Sequence, residues 1–143
     1  MIVRVTEITS EIIASFQPLV PQLTASRPPP IKEELAALLA SDASALLIAR
    51  HPDERGPIVA ALTLVTYRVL TGIRARIEDV VVEGKYRRQG IGEALTRAAL
   101  RLAKEAGADG VALTSHPRRQ AANRLYQKMG FKRWETNLYF YEF

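Results

Sequence analysis

The chain has 143 residues (15.9 kDa), 48% apolar and 24% charged; that is enough for one globular domain with a buried core, and no apolar run is long enough to span a bilayer. With no cysteine there can be no disulfide, thiolate metal site or acyl-cysteine intermediate, and two distant histidines without an HExxH pattern give no expected metal site. A net charge of +5 admits nucleic acid as a partner, but the cations gather over 85–101 and 118–133 without a nucleic-acid-binding signature, so an anion bearing several phosphates is the expected partner and nucleic acid is not.

Residues 2–8 alternate apolar and polar, as a half-buried strand does. Ser10 is the expected N-cap of a short helix over 11–20 that Pro18 interrupts. Pro28, Pro29 and Pro30 impose an extended segment, and a second helix over 31–40 carries Leu35, Leu38 and Leu39 on one face. Strands are expected over 45–50 and 58–67, joined by a turn over 52–57, and again over 76–82. A helix over 90–106 follows, its apolar stripe being Ile91, Leu95, Ala98, Leu102 and Ala106, with Gly107 ending it. A short buried strand over 110–114, a helix over 119–129 closed by Gly130, and the last strands within 134–141 complete the chain. This order predicts an α+β (α/β mixed) fold in a single domain, 1–143. The N-terminal residues show no signal-peptide core or cleavage site, so a cytoplasmic location is expected.

Between the strand over 76–82 and the helix over 90–106 lies Glu83-Gly84-Lys85-Tyr86-Arg87-Arg88-Gln89-Gly90-Ile91-Gly92-Glu93. The first four N–H groups of a helix lack internal partners, and the macrodipole makes that end positive. Gly90 and Gly92 leave the amides bare to an anion, and Lys85, Arg87 and Arg88 add charge around them. The loop reads as a pyrophosphate cradle. It is not a Walker A loop, since no Gly-Lys-Ser/Thr occurs, nor a dinucleotide fingerprint, since the residue three after Gly92 is Leu95.

Downstream lies Ala121-Ala122-Asn123-Arg124-Leu125-Tyr126-Gln127-Lys128-Met129-Gly130-Phe131. Together the two segments resemble the GNAT superfamily of acyl-CoA-dependent N-acetyltransferases. That family carries Gln/Arg-x-x-Gly-x-Gly/Ala at the start of a central helix and, about thirty-five residues later, Ala-x-x-Leu/Phe-Tyr-x-x-x-Gly-Phe. The matching residues are Arg87, Gly90 and Gly92, then Ala122, Leu125, Tyr126, Gly130 and Phe131, within a span of 77–131. The resemblance implies a mixed, mostly antiparallel twisted sheet of six to seven strands flanked by about four helices. It also implies acetyl-CoA as acyl donor and direct transfer, in a ternary complex, to a primary amine on a small molecule or peptide. A longer acyl donor, a CoA-binding regulatory module without turnover and a basic nucleic-acid binder are the rival readings. GNAT proteins often form dimers, and the aromatic tail (Tyr139, Phe140, Tyr141, Phe143) is either a homodimer interface or a core strand.

By the same resemblance, the backbone of Val80, Val81 and Val82 pairs with the pantetheine arm. The diphosphate falls to the amides of Gln89, Gly90, Ile91, Gly92 and Glu93 and to the side chains of Arg87 and Arg88. The family often has proline where Gly84 stands, a change expected to be without consequence. The helical pair over 11–40 borders the acceptor. Tyr126 is the general acid: a phenol stays protonated at neutral pH and can donate to a departing thiolate. Its apolar helix face equally allows a core tyrosine. For the base, Glu78 is favoured over Asp79 because it shares the parity of Val80 and Val82; an ion pair to Arg74 or Arg76, or a water chain, stays open. Asn123 stands three residues before Tyr126, not the seven typical of the family's cofactor-contacting asparagine, and Arg119 occupies that place. Arg118 or Arg119 at a phosphate, His116 as a turn residue and His51 as incidental complete the readings.

Overall fold

A sheet of five strands organises the computed structural model, which describes Met1–Phe143: β1 (Ile2–Arg4), β2 (Ser44–Arg50), β3 (Ile58–Val69), β4 (Gly72–Val82) and β5 (Val111–Ala112), in that spatial order. The first four run antiparallel to their neighbours, and β5 pairs parallel with β4. A parallel pair needs a crossover, and α3 (Ile91–Glu105) supplies it. α1 (Ser10–Leu23) and α2 (Lys32–Ala40) connect β1 to β2. All of these lie in one compact unit, Met1–Leu113; the second, Thr114–Phe143, holds α4 (Gln120–Lys128) and the C-terminal segment. The fold is α+β, with four helices and a mostly antiparallel sheet.

Alternation along the strands sorts the core into two faces. Leu46, Ile48, Ala61 and Val81 pack with Ile12, Phe16 and Leu19 of α1 and Leu35 of α2. The intervening Leu47, Leu62, Leu64, Ala75 and Ile77 are also buried, and α3 lies along β2, β3 and β4. The buried face of α3 is Leu95, Thr96, Ala98, Ala99 and Ala103, rotated from the expected stripe: Ile91 and Leu102 are half-buried and Ala106 is exposed. Small residues there let the helix approach the sheet, and the buried Thr96 hydroxyl donates to the Gly92 carbonyl at 2.8 Å.

α1 differs from its expected form at both ends. Thr9, not Ser10, is the N-cap, its hydroxyl accepting from the Ile12 amide at 3.3 Å. The helix also continues through Pro18 and Pro21 to Leu23. Both prolines are exposed, as are Ala14 and Gln17, whose carbonyls lose their ladder donors, so solvent can satisfy what proline removes. Arg50, at the end of β2, forks onto the Glu11 carboxylate with two bonds of 2.7 Å and reaches the Gly56 carbonyl at 2.9 Å. That hydrogen bond holds the Glu11 carboxyl below its ordinary range.

Five strands fall short of the six to seven expected, and the deficit is C-terminal. Residues 131–143 form no strand, and Trp134, Leu138, Tyr139, Phe140 and Tyr141 are each at least 72% exposed. Leu138 to Tyr141 are apolar on both parities, so a strand there needs cover on both faces. The strand expected over 110–114 is reduced to Val111–Ala112. No helix is long and apolar enough to cross a membrane.

Candidate active site

β4 does not run regularly into the loop that follows it. Thr63 pairs with Glu78, but Ala61 pairs with Val81, so Leu62 faces two residues, Asp79 and Val80. This is a β-bulge, and Asp79 takes φ +54° to make it. The extra residue reverses the parity downstream. Glu78, opposite Thr63, and Val81, opposite Ala61, share the face of α1 and α2. Val82 points the other way, its Cγ2 lying 3.7 Å from where a Cβ on Gly92 would sit. The expectation that Glu78 shares a face with Val82 is therefore corrected by the bulge. Glu78 also has a partner: its Oε1 accepts from Arg76 Nε at 3.0 Å, the ion pair left open by the sequence.

Asp79 reaches the surface at the bulge, yet partial burial, and then the Glu78 charge beside it, raise its carboxyl above the ordinary value. A carboxyl with a higher pKa folded than unfolded binds protons on folding. Its charge therefore costs stability at neutral pH, and that cost disappears below its unfolded pKa. Asparagine tolerates the same positive φ without the charge. Asp79→Asn is expected to raise the melting temperature by about 1–2 °C at neutral pH and by nothing near pH ~3. An unchanged neutral-pH melting temperature would contradict the cost of that half-buried charge.

After Val82 the chain makes a 3₁₀ turn (Gly84–Tyr86), then passes Arg88 at φ +63° and Gly90 at φ +79° into α3. Gly90 is the N-cap and has no capping side chain; the first ladder bond runs from the Ala94 amide to the Gly90 carbonyl at 3.0 Å. The amides of Ile91 and Gly92 precede that bond and point out of the helix end. A Cβ placed on Gly90 would meet nothing within 4 Å, so the space ahead of these amides is open. An uncapped helix start of this kind presents bare amides and positive potential to an anion.

The cations around this helix start are arranged unevenly. Arg87 is turned back, its Nε donating to the Val82 carbonyl at 3.0 Å. Lys85 pairs with Glu83 at 3.4 Å and lies 5.1 Å over the Tyr86 ring. Arg88 is exposed and makes no ion pair. Glu93 binds Arg97 one turn along α3 at 2.7 Å. His51, expected to be incidental, meets the Tyr86 ring edge-on at 5.4 Å and braces the loop from the β2–β3 turn. Gly84 likewise has a role that the comparison with proline hid: its amide donates to Gln22 Oε1 at 2.9 Å.

The second unit holds the other motif. Tyr126 on α4 is 7% exposed and meets Phe131 edge-on at 5.6 Å. Burial raises its phenol above the ordinary value, with the Arg119 charge opposing. Its ring is buried, while its hydroxyl oxygen keeps some exposure and bonds to no protein group. Asn123 is engaged elsewhere, its Nδ2 donating to the His116 carbonyl at 3.0 Å, while His116 Nδ1 accepts from the Arg118 amide at 3.1 Å. Both residues build the turn ahead of α4. Gly130 ends that helix at φ +99°.

The acetyltransferase (GNAT) family model matches residues 8–131. The chain belongs to the GNAT family. N-acetyltransferase family 8 member 3 of Rattus norvegicus is 32% identical to this GNAT chain over 93 residues, 64% of the chain and 40% of that protein. The chain thus spans less than half the length of this curated relative. Aminoglycoside acetyltransferase meta-AAC0020 from an uncultured soil metagenomic sample, solved with sisomicin, superposes with a TM-score of 0.84 at 22% identity, covering 100% of this chain and 95% of that one. AAC(6')-Iy, solved with the bisubstrate analog CoA-S-monomethyl-acetylneamine, superposes with a TM-score of 0.77 at 18% identity, covering 99% and 97%. At these identities they share the GNAT fold with this chain.

Proposed function

We propose that this GNAT protein is an N-acetyltransferase that moves the acetyl group of acetyl-CoA directly to a primary amine in a ternary complex. The observation carrying this reading is the open helix N-terminus behind Gly90, uncapped by any side chain and entered through two left-handed residues. When bound, acetyl-CoA supplies an activated acyl carbon and a leaving sulfur. The amides of Gln89, Gly90, Ile91, Gly92 and Glu93, with Arg87 and Arg88, would hold its diphosphate, and the bulged end of β4 (Val80, Val81, Val82) would align its arm. Holding donor and amine together replaces a bimolecular encounter.

In this reading Glu78, on the same sheet face as α1 and α2, takes the proton that the amine loses. As the C–N bond forms, the C–S bond breaks, and Tyr126 gives a proton to the sulfur that leaves with the electron pair. Amide and thiol are the products, and solvent returns both residues to their starting protonation. The exposed aromatic segment supports a further reading, that a second copy covers it in a homodimer. Sedimentation equilibrium is then expected to give twice the chain mass; a monomer would discard the homodimer.

Thermal shift tests the donor. Acetyl-CoA at a hundredfold excess over its Kd is expected to stabilise the fold by about 2.7 kcal/mol, with adenosine ineffective. A transition unmoved by either CoA or acetyl-CoA would refute the assignment. Free-thiol release across an amine panel then identifies the acceptor; thermal protection with no release for any amine would instead favour the regulatory module.

A further inference from the structure

We infer that Gln22, in the last turn of α1, is a positioning residue of the donor site, and that glycine at 84 is what lets it act. The inference rests on the reading of the loop as the CoA cradle. Gln22 Oε1 accepts from the Gly84 amide at 2.9 Å, and Gln22 Nε2 donates to the Pro18 carbonyl at 3.0 Å. Engaged at both ends, the side-chain amide has one orientation: oxygen to the loop, nitrogen to the helix. Gln22 and Gly84 are 62 residues apart in sequence, and no other side-chain hydrogen bond reaches this loop from a distant element.

The platform is firm, and the loop's path is exacting. α1 is anchored by Ile12, Phe16 and Leu19, all buried in the core beneath the sheet. The loop leaves β4, turns through Gly84–Tyr86 and must place two left-handed residues, Arg88 and Gly90, before its amides can converge. Fixing its first residue fixes where that path begins. A proline at this position would supply stiffness but no N–H. This chain has the opposite arrangement, a flexible residue whose amide is tied to a helix.

Double-mutant cycles test this cleanly because the backbone already suits proline. Glu83, the preceding residue, has φ −53° and ψ 135°, the extended conformation a proline demands before it. Position 84 opens a helical turn, where proline is favoured, and a Cβ there would sit 3.7 Å from Gln22 Oε1, an ordinary contact. Gly84→Pro removes the donor, and its Cδ, standing where the amide hydrogen was, turns the exposed end of Gln22 away from the loop.

Gln22→Ala is expected to raise the KM and Kd for acetyl-CoA about two- to tenfold, the range of one hydrogen bond, with a smaller change in kcat at saturation. The same substitution made in a Gly84→Pro background is expected to change neither constant, because its partner is already gone. A Gln22→Ala that binds acetyl-CoA like wild type, or an equal loss in both backgrounds, would overturn the inference alone. Wild-type protein with no affinity for CoA would overturn the reading of the loop beneath it, a distinct result in the same calorimetric titration.

Discussion

Tyr126→Phe is expected to lower kcat about 10²- to 10⁴-fold while acetyl-CoA affinity stays near wild type, the signature of a lost general acid. The substitution removes a hydroxyl that no protein group holds and keeps the ring that meets Phe131, so little stability is at stake. Burial favours the neutral phenol and raises its pKa, so Tyr126 remains protonated through neutral pH. As an acid it is competent below that value and lost above it. The alkaline limb of kcat should therefore lie higher than an ordinary tyrosine would set, and it should vanish in the phenylalanine variant. Turnover equal to wild type would reduce Tyr126 to packing.

Gly90→Asp is expected to weaken acetyl-CoA binding about 10- to 100-fold, because a carboxylate at the helix end competes with the diphosphate for the same amides and repels it. Gly90→Asn is the control. Asparagine and aspartate are the non-glycine residues that best accept φ near +79°, and nothing within 4 Å obstructs a Cβ there. Without ligand the aspartate variant should melt no lower than the asparagine one, and the two should differ in titration with CoA, asparagine losing only a fewfold. Equal affinity in the two variants would mean that no anion binds at this end of α3.

The bare start of α3 was legible because its parts are local. A glycine before an apolar-periodic helix, an arginine-rich turn and a preceding run of valines report on one helix end within a dozen residues. The bulge was less legible, although a hint exists: Glu78 and Asp79 side by side break the alternation of an otherwise apolar strand. Two adjacent charges on a half-buried strand require either an exposed face for each or an extra residue, and the chain uses the latter. Gln22 carried no local signal. The only clue was that glycine replaces a residue that cannot donate, and a donor without a visible acceptor points nowhere until α1 is placed. The C-terminal strands were read from apolar composition alone, which states a need for burial and not what provides it.

By itself the sequence determined the order of elements from β1 to α4, the uncapped start of α3 and the glycine that turns into it, since φ preferences and helix ends are properties of a few neighbouring residues. Tertiary structure alone decided which side of the sheet Glu78 takes and which helix holds Gly84. A single extra residue in β4 reverses every face beyond it, and a contact across 62 residues exists only once strands and helices have packed.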